Sequence, residues 1–85
     1  MAETTGLVQQ LKVDTTGITR TLIGPNVSNV TALMVQRTSG DSREAASGKD
    51  DIVNALAAAM VAYREVVAVH GDTDSFITQL RIDPV

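Results

Sequence analysis

At 85 residues the chain makes one domain with a small core, and with 44% apolar but only 2% aromatic residues that core is built from Val, Ile, Leu, Met and Ala. The absence of cysteine excludes disulfides, thiolate metal sites and thiol nucleophiles. The net charge of −3 is uneven: residues 1–40 carry three basic and two acidic side chains, residues 41–85 four basic and eight acidic, which gives no broad footprint for a phosphate backbone.

No stretch approaches the ~20 apolar residues of a membrane span. Residues 1–5 carry no basic region, and no apolar run suits a signal peptide, so a cytoplasmic location and no membrane contact are the expectation. Residues 1–85 form one domain on this reading.

Residues 6–14 alternate, with Leu7, Gln9, Leu11 and Val13 on one side and Val8, Gln10, Lys12 and Asp14 on the other. That is a half-buried strand. Asp14-Thr15-Thr16-Gly17 follows as a turn, and residues 18–23 form the return strand. Gly24-Pro25-Asn26 stops it. Residues 27–37 resume strand character, with Ala32 and Met34 on one side and Leu33 and Val35 on the other.

Residues 38–48 are polar, glycine-bearing and without period, which predicts a mobile connection. Ser47 is the expected N-cap of a helix, with Asp50 at the capping-box position and Asp51 adding charge to the first turn. Ile52, Leu56, Ala59, Met60 and Tyr63 then share one helical face. Alanines at 55, 57, 58 and 62 supply helix propensity.

The helix end has two readings. Gly71 would serve as a C′ residue for a helix reaching His70, giving a four-stranded sheet with one long helix over residues 50–70. The β-branched run Val66-Val67-Ala68-Val69 favours a strand instead, joined through the polar residues 71–75 to an alternating strand over 76–82. The second reading is preferred. The expected core is Leu11, Val13, Leu22, Leu33, Leu56, Met60, Val67, Leu80 and Ile82.

The order strand, strand, strand, helix, strand, strand is that of the OB-fold, a five-stranded Greek-key barrel with a helix between strands 3 and 4. The fold class is therefore α+β and mostly β. The C-terminal part, Leu56-Ala57-Ala58-Ala59 followed by Val66-Val67-Ala68-Val69 and Ile77-Thr78-Gln79-Leu80-Arg81-Ile82, resembles small bacterial OB-fold proteins of unassigned function. The resemblance covers the layout of nearly the whole chain and implies no catalytic residues.

Constellations with chemical potential are few. Ser47-Gly48-Lys49 resembles part of a phosphate-binding loop, but Gly40 is too far upstream and Asp50 stands where the magnesium-binding hydroxyl belongs. His70, Asp72 and Asp74 would offer three metal ligands, yet acids in tight loops usually bond their own backbone. His70, Asp72 and Ser75 would have to converge from one short hairpin to form a triad. Asn26 and Asn29 fit glycosylation patterns that matter only in a secreted eukaryotic protein. No cofactor and no enzymatic activity are expected.

Arg20 and Arg37 occupy positions suited to a ligand groove, but the strands beside them lack stacking aromatics, which disfavours nucleic acid. The leading expectation is a self-associating assembly or protein-binding module, with Ala57, Ala58, Val61 and Ala62 as the candidate interface. The alternative is an OB-like barrel binding single-stranded nucleic acid or an oligosaccharide.

Overall fold

The computed structural model describes residues 1–84 and contains β1 (Ala2–Lys12), β2 (Ile18–Asn26), β3 (Asn29–Gln36), α1 (Arg43–Ala62), β4 (Glu65–His70) and β5 (Ile77–Arg81). The strands form one antiparallel sheet in the order β3-β2-β1-β4-β5, so the domain is α+β and mostly β. The ladder does not close on itself. Among the described residues a single isolated bridge, Met34 with Phe76, joins the β3 edge to the residue preceding β5.

The central strand β1 is shared between partners. Its residues 2–7 pair with β4 and residues 7–12 with β2. Gly6 and Gly24 meet where the partners change, and a Cβ on Gly6 would stand 2.7 Å from the Gly24 backbone. Only hydrogen fits there.

A bulge decides which side chains form the core. Val8 pairs with Ile23 and Gln10 with Leu22, so Gln9 is an extra residue on β1 and the alternation inverts across it. Val8 and Leu11 therefore face the same side, together with Thr21 and Ile23 of β2. The buried cluster comprises Val8, Ile23, Leu33, Val35, Leu56, Ala59, Val66, Ala68 and Ile77, with Leu11, Ile52, Val53, Met60 and Leu80 packed against it.

The expected core needs correction at four positions. Leu22 is half-buried on the outer face because Thr21 and Ile23 point inward. Val67 is buried, but on the face opposite Val66 and Ala68. Val13 and Ile82 lie beyond the ends of β1 and β5 and are 63% and 41% exposed.

The helix begins earlier than residue 47. Ser42, not Ser47, is the N-cap, and its Oγ accepts from the Ala45 amide at 3.1 Å. The connection expected over residues 38–48 therefore gives its last residues to the helix. The turn before it is closed by Asp41, which accepts from the Thr38 amide at 2.9 Å and hydroxyl at 3.0 Å. Lys49 Nζ then reaches both Asp41 oxygens at 2.9 Å. At the other end Tyr63 adopts a left-handed conformation (φ 53°, ψ 44°), and the Arg64 amide bonds the Ala59 carbonyl at 3.0 Å. The long helix over residues 50–70 is not formed; β4 and β5 are a hairpin. Among the described residues no helix is long and apolar enough to cross a membrane.

Candidate functional site

The outer surface of α1 carries the first candidate. Leu56 and Ala59 are its buried residues, and Ile52, Val53 and Met60 pack partly against the core. That orientation turns Ala58, Val61 and Ala62 outward, where helical spacing stacks them on one face. Val61 is 78% exposed, the adjoining Tyr63 is 83% exposed, and Ala57 is half-buried at the margin. The helix thus presents an uncharged face at Ala58, Val61 and Ala62, and the tyrosine that follows, beside Arg64 and Glu65, is held in a backbone conformation that L-residues disfavour.

The second candidate is the outer face of β1, β2 and β3. Lys12, Arg20 and Met34 stand in one cross-strand row, and Gln10, Leu22 and Ala32 in the next. Together with Ser75 they line a shallow groove of about 350 Å³. Ile77 faces the core, so Phe76 turns to the outer side, beside Met34 through their bridge. An aromatic therefore reaches this face from the segment before β5. Reading β2 and β3 alone misses it, because the contact is long-range in sequence.

Arg20 and Arg37 are not brought together. Arg20 lies on the outer face, 3.9 Å from Asp14. Arg37 lies past β3 near α1, 3.4 Å from Asp50. Asp14 is held below the usual carboxylate range, first by the hydroxyl of Thr16 and then by its amide.

The hairpin residues have separate local partners. His70 Nε2 stands 2.9 Å from the Thr4 hydroxyl and Nδ1 2.9 Å from the Gly71 carbonyl. Asp72 pairs with the Met1 amino group at 2.8 Å. Asp74 accepts from the Phe76 amide at 3.0 Å, and the Ser75 carbonyl accepts from the Met34 amide at 2.8 Å. His70, Asp72 and Ser75 do not converge as a triad. Among the described residues no group of three His, Asp or Glu side chains is placed to hold a metal, and no buried side-chain polar atom lacks a partner. Ser47-Gly48-Lys49 lies inside α1, so its backbone is committed to the helix. Asn26 accepts from the Ser28 amide at 3.0 Å and shapes the β2–β3 turn.

Comparison with protein-family models, with curated proteins and with solved structures finds no match.

Proposed function

We propose that this chain is a non-enzymatic assembly module that self-associates through the outer face of α1. In this reading the sheet is an OB-like barrel whose β3–β5 seam is joined only at the Met34–Phe76 bridge among the described residues, and the helix serves both the core and a partner. One observation carries it: Ala58, Val61 and Ala62 form an exposed, uncharged helix face, and the exposed Tyr63 follows directly at the end of the helix. Small side chains let a second backbone approach closely, and a tyrosine at the strip's end gives a large amphipathic contact. The left-handed Tyr63 adds support, because a glycine there would avoid the strain while losing that contact.

The test is substitution within the strip. Val61→Glu or Ala58→Glu places an unpaired charge in the contact and weakens association, with the fold unchanged by circular dichroism. Association unaffected by both variants would remove the outer face of α1 as the interface.

A second reading rests on Phe76. Phe76 is bridged to Met34 at the margin of this face, and Lys12 and Arg20 line the groove, a combination that suits single-stranded nucleic acid or an oligosaccharide. Tight retention of single-stranded DNA, lost on Phe76→Ala and weakened by salt, would promote it over the first.

A further inference from the structure

We infer that residues 43–51, the start of α1, open as a latched flap that forms the helix wall of a groove between α1 and β5. The groove has a volume of about 520 Å³ and is lined from the helix by Ala45, Gly48, Lys49 and Ile52, and from the strand by Ile77, Thr78, Gln79 and Leu80. Its floor is apolar, and it follows the edge of β5 that no strand pairs.

The two halves of α1 are held by different forces. Residues 52–60 supply every side chain that the helix gives to the core, with Leu56 and Ala59 fully inside. Residues 43–51 bury none; Ala46 and Lys49 are half-buried and the other seven are exposed. Ser47, Gly48, Asp50 and Asp51 also have weak helix propensity. Segments with little burial and weak propensity open first.

What holds this half down is polar. Ser42 caps it, and Arg37 reaches Asp50 at 3.4 Å. The chief tie is Lys49 to both oxygens of Asp41, whose side chain is also fixed by Thr38. Removing that tie frees the segment to lift away from the β5 edge without disturbing Leu56 or Ala59. Lifting carries the helix wall, with Ala45, Gly48 and Lys49, away from Ile77 and Leu80 and so widens the groove. This half is remote from the strip at residues 58–63, and the inference stands apart from self-association.

Amide hydrogen exchange on the full chain tests it, with variants that push in opposite directions. Lys49→Met keeps the length of the side chain and removes its charge. Exchange at residues 48–51 should rise several-fold, with residues 56–60 unchanged. A Cβ on Gly48 meets nothing within 4 Å, so Gly48→Ala fits without strain. It should slow exchange at residues 49–51 about fivefold, the effect of the propensity difference between glycine and alanine. Equal changes in both halves would show that α1 opens as one unit and overturn the flap. No change at residues 48–51 in Lys49→Met would overturn the latch.

Discussion

Met34 donates its backbone N–H to the carbonyl of Ser75 at 2.8 Å, across the seam between the two edges of the sheet. The residues that it joins are 41 positions apart, and the neighbouring isolated bridge to Phe76 is the one pairing there among the described residues. Alternation along β3 turns the Ala32 N–H to the same side, where no strand follows. The Met34 amide should therefore exchange more slowly than that of Ala32. Equal exchange at the two positions would mean that the seam is open in solution.

Leu56 is fully buried at the centre of the core, while Ile82 lies past the end of β5 and is 41% exposed. Leu56→Ala should cost about 2–5 kcal/mol of stability by the loss of contacts and the cavity left behind. In a domain this small that approaches the whole stability. Ile82→Ala should cost less than about 1 kcal/mol by the area bookkeeping for a half-exposed side chain. Urea denaturation of the two variants distinguishes them; similar losses would place the core on the wrong side of the sheet.

How much of this was legible in the sequence follows from those two residues. The period of α1 around Leu56 identifies its buried face from Ile52 to Met60, but not Tyr63, which leaves the helix as its left-handed C-cap and is 83% exposed. The order of the other elements was equally plain, but the run 66–69 that becomes β4 also continues the helical period to Gly71, and its β-branched residues only favoured the strand. The parity of β1 was not legible, because Gln9 is a bulge created by pairing with β2, and alternation within one strand does not reveal it. Ser42 does not stand out as a cap because residues 43–51 carry no apolar period; the local signal is its hydroxyl followed by Glu44 in the first turn. Phe76 comes beside Met34 only through their long-range bridge. Such a contact has no local signature.

Tyr63 in the left-handed region costs about 1–2 kcal/mol relative to a glycine. Tyr63→Gly should raise the melting temperature under dilute, dissociated conditions and weaken self-association. The two effects have opposite signs, so one thermal scan and one association measurement separate them. A variant that is both less stable and equally associated would count against the role given to Tyr63.

The hydrogen bond from Lys49, followed by that from the Thr38 amide, holds the Asp41 carboxyl down at about 2, against an ordinary value of 3.8. Because the folded value lies below the unfolded one, ionised Asp41 stabilises the fold fully above pH 3.8. That contribution is lost as pH falls through about 2. Asp41→Asn should therefore be less stable than the wild type at neutral pH, with the gap shrinking as acid is added. Denaturation across a pH series checks this; a gap that stays constant into acid would show that the Asp41 charge does not stabilise the fold.

The most direct measurement is the mass in solution by light scattering, at rising protein concentration and at low and high salt. Self-association through Ala58, Val61, Ala62 and Tyr63 predicts a closed multiple of 9.0 kDa, most simply a dimer, that persists in high salt because the contact is apolar. A mass of 9.0 kDa at tens of micromolar, in either salt, would contradict it.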